Sequence, residues 1–242
     1  MDSGICRYLD WDSRFFGFPI AQMSGGRLDQ LTLDSVTAWC CSQRIRCLYF
    51  IADTNDAATI ELAEHNSFHL VDVRLTLARK IESGGIAPPR IRPWQESDLP
   101  ALAAIARISH TDTRFYFDRG FANDRCDDLY ETWIRNSCAG YADAVLVADA
   151  GQAAGYITCH LDSNGEGRIG LVAIGSSFQG QHFGSDLVHA ALNWFESKGA
   201  SRVSVVTQGR NIAAQCLYQR CGFRTASTQV VYHRWFPPVA TP

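Results

Sequence analysis

The sequence predicts an α/β protein, and three observations in its last third carry that prediction. An apolar run, RIGLVAI at 168–174, leads into a Gln/Gly-rich turn, GSSFQGQHFG at 175–184. An amphipathic stretch, SDLVHAALNWFESKG at 185–199, is followed by an alternating run, RVSVVTQG at 202–209. A short helical pattern, NIAAQCLYQRCGF at 211–223, closes the segment. Strand, turn, helix and strand in that order form a crossover unit whose two strands are expected to run parallel.

Each element has its own justification. In the helix expected over 185–199, Leu187, Val188, Ala191, Leu192 and Phe195 recur at helical spacing and make one apolar stripe. Lys198 falls in the last turn and Gly199 follows, a common way for a helix to stop. Asn211 suits the N-cap of the second helix, with Gln215 in its first turn and Gly222 at its far end. Upstream, IRPWQESDLPALAAIAR at 91–107 reads as a strand and then a helix. The stretch ESGGIAPPR, Glu82 to Arg90, interrupts two periodic regions with Gly-Gly and Pro-Pro and marks the expected domain boundary. Ahead of it, TNDAATIELAEHNSFHLVDVRLTLAR at 54–79 parallels GRNIAAQCLYQRCGFRTASTQVVYHR at 209–234. In both, small residues open a helix, a phenylalanine follows, and a strand comes next. CLYFIADT resembles RVSVVTQG in the same way, so the N-terminal third reads as an internal repeat of the C-terminal half, with a coincidental helix–strand likeness as the alternative. With Phe68 set against Phe223, Ala63 takes the place of Tyr218.

Composition bounds the function. A length of 242 residues exceeds one domain of about 150, and 46% hydrophobic with 19% charged residues predicts a globular chain with a sizeable core. A net charge of −3 argues against nucleic acid as a main partner. No run is long and apolar enough for a membrane helix, and Met1 to Leu9, with Asp2 and Arg7, carries no signal-peptide block. Nine cysteines are scattered, with Cys40 and Cys41 adjacent and no Cys-x-x-Cys pair. Reduced thiols in a cytoplasmic protein, with no bound metal, are the expectation.

Two constellations bear on chemistry. A strand running through a turn into a helix leaves the first helical N–H groups facing whatever lies at the entrance. With the positive end of the macrodipole they suit a diphosphate. Asn211 and Tyr218 are seven residues apart, which places both on one helical face about 10 Å apart along the axis. Taken alone they read as a capping asparagine and a core tyrosine.

In order and spacing these features resemble the acetyl-CoA half of the GCN5-related N-acetyltransferase (GNAT) superfamily. Its turn, Gln/Arg-x-x-Gly-x-Gly/Ala, fits with Gln179 first, His182 at the first glycine and Gly184 at the second. Its late-helix pattern, Asn-x-x-Ala-x-x-Leu-Tyr-x-x-x-Gly-Phe, is met by Asn211, Ala214, Leu217, Tyr218, Gly222 and Phe223. The resemblance implies a mixed central sheet flanked by helices, with a degenerate half-domain at 1–81 packed on a catalytic domain at 90–242. It implies acetyl-CoA as cosubstrate. Strand atoms of Val172, Ala173 and Ile174 would pair with the pantetheine arm. The turn and helix entrance, Gln179, Gly180, Gln181, His182, Phe183, Gly184 and Ser185, would hold the pyrophosphate, and Asn211 would touch the cofactor. His182 departs from the pattern, because glycine serves there for a positive φ or for close approach, and histidine takes that geometry at some cost.

Tyr218 would approach the cofactor's sulfur. When an amine attacks a thioester, a thiolate leaves; a thiol titrates near ~8.5 and a phenol near ~10, so proton donation by Tyr218 is nearly balanced. A strand amide near Ala173 would serve the developing oxyanion. The sequence names no unique base: His110, Asp112, His160, Glu166 and a water chain all qualify.

Over nearly its full length the chain is also similar to the dTDP-fucosamine acetyltransferase family. The similarity lies in Trp-Asp-Ser-x-Phe-Phe-Gly (Trp11 to Gly17), the DAAT helix, the run Thr207 to Asn211 and Tyr218. It implies a dTDP-linked aminodeoxysugar as acceptor, in surface polysaccharide assembly. The segment SHTDTRFYFDRGF at 109–121 mixes His110, Thr111, Asp112, Thr113 and Arg114 with Phe115, Tyr116 and Phe117. Such a mixture suits a sugar, with His110, Asp112, Arg114 and Tyr116 as the substrate residues and Arg114 placed for a phosphate. The competing expectations are a protein N-terminus or other small amine as acceptor, and a non-catalytic acyl-CoA-binding module, against which Tyr218 counts. A homodimer is one option for the assembly.

Overall fold

The computed structural model describes residues 4–82, 84–85 and 88–237, so part of the expected boundary segment (83, 86 and 87) lies outside the described residues. In chain order the elements are β1 (Cys6–Tyr8), α1 (Asp10–Phe16), β2 (Ile20–Met23), α2 (Gln30–Ser42), β3 (Cys47–Asp53), α3 (Ala57–His65) and β4 (His69–Lys80). Then come β5 (Ile91–Pro93), α4 (Leu99–Ser109), α5 (Arg114–Phe117), α6 (Asn123–Asn136), β6 (Ala144–Asp149), β7 (Ala153–Leu161) and β8 (Gly167–Ile174). The last are α7 (Phe183–Ser197), β9 (Arg202–Gln208), α8 (Ile212–Arg220) and β10 (Arg224–Trp235).

The chain forms two compact units, and neither is a continuous stretch of sequence. Among the described residues, one comprises 4–74, 117–121 and 228–237, the other 75–82, 84–85, 88–116 and 122–227. A cut at residue 81, as the linear reading expects, therefore separates residues that fold together. The reason is that β4 and β10 each contribute residues to both units.

In the first unit β1 pairs antiparallel with β2, β2 pairs parallel with β3, and β3 pairs antiparallel with the C-terminal residues of β10, from Gln229↔Asp53 to Trp235↔Cys47. Helices α2 and α3 start at aspartate caps: Asp29 Oδ1 accepts from Thr32 N at 2.7 Å and Asp56 Oδ1 from Thr59 N at 3.3 Å. Leu33, Val36, Cys40, Leu48, Phe50, Ala63, Phe68 and Tyr232 form this unit's core. The segment 117–121 is fixed here by Asp118, whose Oδ2 accepts from His233 Nδ1 at 2.6 Å and Trp235 Nε1 at 2.9 Å.

In the second unit β5, β6, β7 and β8 form an antiparallel series, and β8 then pairs parallel with β9, as the strand–helix–strand crossover requires. The end of β4 borders β9 and brings Leu75 and Leu77 to the core. The stripe read from the sequence is the buried one: Leu187, Val188, Ala191, Leu192 and Phe195 of α7 pack with Ile157, Cys159, Ile169, Val203, Val205 and Phe223. Gly199, with φ of 78°, ends the helix as expected.

Candidate active site

The second unit's parallel strands stay together only briefly. Gly167, Arg168 and Ile169 of β8 lie in register with Val203, Ser204 and Val205 of β9, and no further pair joins them among the described residues. Beyond Ile169 one edge of β8 is left without its parallel neighbour. Gly175 N donates to Ala154 O at 2.9 Å, which fixes the alternation of the β7–β8 ladder. The amides of residues 173 and 175 then point to β7, and those of Val172 and Ile174 point away from it, toward the free edge. Sequence reasoning placed the strand donor near Ala173; the ladder turns the Ala173 amide itself toward Tyr156 and leaves those of Val172 and Ile174 pointing to the free edge.

Past the strand, the chain turns through Gly175 and a short 3₁₀ turn at Ser176–Phe178 into α7. His182 stands before the helix with φ 66° and ψ 1°, the left-handed geometry that glycine adopts most readily. No side chain caps α7. The first ladder bond is Asp186 N to His182 O at 3.1 Å, so the amides of Phe183, Gly184 and Ser185 have no partner inside the helix. In contrast, α8 is capped by Asn211, whose Oδ1 accepts from Ala214 N at 3.0 Å. The Asn211 amide group keeps its N–H donors for another partner.

Several bonds shape the entrance turn. Ser185 Oγ donates to His182 O at 2.7 Å, Gln181 Nε2 to Ser177 O at 3.2 Å, and Gln179 Nε2 to Ile174 O at 3.4 Å. Gln179 and Ser185 thus spend side-chain groups on the turn itself. Arg90 was missed by sequence reasoning. Its guanidinium donates to Gln181 O at 3.2 Å and Asp186 Oδ2 at 2.7 Å and lies 4.2 Å over the Phe183 ring. Nothing local in the sequence announces a brace that acts across ninety residues.

Gly184 brings the entrance to α8, since a Cβ there would lie 3.4 Å from Leu217 Cδ2. Next along α8 is Tyr218, 5% exposed in the core with its ring 5.8 Å from Phe223. Its hydroxyl makes no hydrogen bond with any described residue. Burial raises its pKa well above the ordinary phenol range, so the group carries its proton at any working pH.

The expected acceptor residues divide. His110 ends α4, stacks 4.6 Å from the Tyr130 ring and lies 3.0 Å from Tyr156 Oη through Nε2. Burial pushes its pKa down to about 4, leaving a neutral ring near pH 7. Tyr156 is the register partner of Ala173. Asp112 is exposed, and Arg114 lies 4.8 Å over the Phe115 ring. Tyr116 gives its hydroxyl proton to a bond with Asp127 Oδ1. Burial and then that bond raise its pKa, so the phenol is committed within the fold. Of the candidate bases, Glu166 lies just before β8, and six residues of strand at ~3.3 Å each put it about 20 Å from Val172. His160 is buried beside the strand, with Nε2 3.4 Å from Thr158 Oγ1.

An open strand edge, an uncapped helix entrance and an unbonded phenol meet in one unit. The family model for the acetyltransferase (GNAT) domain matches residues 90–224, more than half of the chain. The chain belongs to the GNAT acetyltransferase family. It is therefore an acyltransferase, and the mixed sheet flanked by helices is the GNAT fold. A GCN5-related N-acetyltransferase from Sphaerobacter thermophilus shares that fold, with a TM-score of 0.68 and 14% identity over 98% of this chain and 78% of the other. Among curated proteins, dTDP-fucosamine acetyltransferase of Escherichia coli O6:H1 is 28% identical over 93% of this GNAT chain and 96% of its own length. The spore coat polysaccharide biosynthesis protein SpsD of Bacillus subtilis is 27% identical over 72% of this chain and 61% of its own.

Proposed function

We propose that this GNAT enzyme moves an acetyl group from acetyl-CoA to the amine of a dTDP-linked aminodeoxysugar, in the cytoplasm, for polysaccharide assembly. The observation that carries the acceptor is the similarity to dTDP-fucosamine acetyltransferase, which extends over nearly all of both chains rather than the cofactor half alone. Acetyl-CoA supplies an activated thioester. The chain's residues fit it: the free amides of Phe183, Gly184 and Ser185 suit the diphosphate, with Gln179, Gly180, Gln181 and His182 shaping the turn. The outward amides of Val172 and Ile174 suit the pantetheine arm and the acyl oxygen. Ala173 orients the strand between them, and the Asn211 N–H donors complete the set.

Tyr218 acts as general acid. A buried phenol is a weak acid, yet a thiolate expelled into the same buried place also binds its proton more tightly, so the transfer stays close to balanced. His110 and Arg114 belong to the acceptor side, with Asp112 exposed beside them; Tyr116 holds the segment through Asp127 instead of meeting the sugar. The residues before 82 repeat the design. β2 and β3 are parallel, share three register pairs and flank α2, as β8 and β9 flank α7. Ala63 stands where Tyr218 would, so this repeat is non-catalytic.

The test is a mass-spectrometric screen of the purified full chain with acetyl-CoA against pooled amines, peptide N-termini and dTDP-aminosugars. The expected product is a singly acetylated nucleotide sugar. Acetylated peptides with no sugar product would overturn the acceptor and leave the enzyme class standing.

A further inference from the structure

β8 does not keep continuous register with β7. Cys159 faces Ile169 and Ile157 faces Val172, so Gly170 and Leu171 together stand opposite Thr158. This is a β-bulge, with one extra residue on the strand that carries the outward amides. The extra residue interrupts the ladder, and the Leu171 amide donates to Thr158 Oγ1 at 2.8 Å. Thr158 is fully buried, at 0% exposure. Gly170 makes room for this arrangement: a Cβ there would lie 2.5 Å from Thr158 Oγ1 and 2.6 Å from His160 Nε2.

The phase of the bulge matters because alternation along a strand is strict. One residue of slip would turn the amides of Val172 and Ile174 into the β7 ladder and present those of residues 171 and 173 instead. A side-chain oxygen at the bulge resists that slip, since it offers the Leu171 amide a partner that only this phase supplies.

We propose that Thr158 is a positioning residue of the acyl site: its Oγ1, by taking the Leu171 amide inside the bulge, holds the amides of Val172 and Ile174 toward the donor's pantetheine arm and acyl oxygen. The inference rests on the acetyl-CoA reading above. It is independent of which amine is acetylated.

Thr158→Val keeps shape and removes the oxygen, whereas Thr158→Ser keeps the oxygen and removes a methyl. Calorimetry compares acetyl-CoA with 3′-phospho-ADP, which carries the diphosphate without the pantetheine arm. The Val variant should bind acetyl-CoA about tenfold more weakly, the scale of one lost hydrogen bond, with 3′-phospho-ADP unchanged. The Ser variant should stay within about twofold on both. NMR hydrogen exchange should show the Leu171 amide losing protection in Val and retaining it in Ser. Equal losses in Val and Ser would assign Thr158 to packing. Equal losses on both ligands, or none, would likewise overturn the proposal. If the Val protein does not fold, Thr158→Ala takes its place in the same comparison. Failure of the wild-type protein to bind acetyl-CoA would overturn the cofactor reading instead, and the Leu171 exchange would still decide whether Thr158 holds the bulge.

Discussion

Replacing Tyr218 with phenylalanine separates chemistry from packing, because the structure assigns the hydroxyl no structural partner. The ring is 5% exposed and packs near Phe223, and phenylalanine keeps that apolar burial. No hydrogen bond to a described residue is lost, so stability should change by less than ~0.5 kcal/mol and can rise slightly. The loss of a general acid, in contrast, is worth a factor of ~10²–10⁴ in rate, or about 3–5 kcal/mol of activation free energy. The two effects differ by nearly an order of magnitude, so one variant resolves them. Thermal melts and acetyl-CoA calorimetry should match wild type while kcat, followed by thiol release, falls by that factor. The deficit should shrink with an acyl donor whose thiol is more acidic, since that leaving group needs less help. Wild-type turnover in the variant, or a loss of acetyl-CoA affinity as large as the loss of rate, would refute the assignment and return Tyr218 to the core.

Three further outcomes are expected. A fragment starting at Glu82 lacks Leu75 and Leu77, the latter 1% exposed in the second unit's core. At ~2–5 kcal/mol for each such side chain against a total of ~5–15, the fragment should be molten or insoluble, and a folded, active 82–242 chain would sink this expectation. For His182→Gly, relief of left-handed geometry worth ~1 kcal/mol offsets a similar entropic cost of glycine, so Tm should barely move and acetyl-CoA affinity should hold or improve. A tenfold loss of affinity would instead mean that the imidazole itself touches the cofactor. For His110, the folded ring titrates at about 4 while the unfolded chain takes up its proton near ~6.5. Between those values the unfolded state binds more protons, so stability should fall as pH drops through that window and the His110→Gln protein should lose part of that slope. An NMR midpoint above about 6 for His110 would contradict its burial.

The local structure of residues 168–223 was legible because its signals are local. Apolar spacing in α7, the Asn211 cap and the glycine position held by His182 are each set by residues within one or two turns. The segment 109–121 was less so. Tyr116 looks like a sugar contact in sequence, but its partner, Asp127, sits on the next helix, and no periodicity announces that bond. Arg90 reaches Gln181 and Asp186 only through the fold. The bulge did leave a trace, a glycine inside the strand RIGLVAI, and a glycine in a strand interior often marks a bulge or a close approach. The linear domain boundary could not reveal which strands lie side by side, since hydrogen bonds between strands carry no mark in local composition.

The shared membership of β4 and β10 also bears on how the chain is made. The unit begun by residues 4–74 needs residues 228–235 to pair with β3, and Tyr232, at 0% exposure, to fill its core. Those residues leave the ribosome long after the first 74. At ~5–20 residues per second, the roughly 150 intervening residues impose a wait of about 8–30 s during synthesis. Throughout that interval the apolar edge of β3, CLYFIAD, is unpaired and open to another nascent chain. Slow or stalled translation in the second half of the message therefore lengthens the exposure of the first.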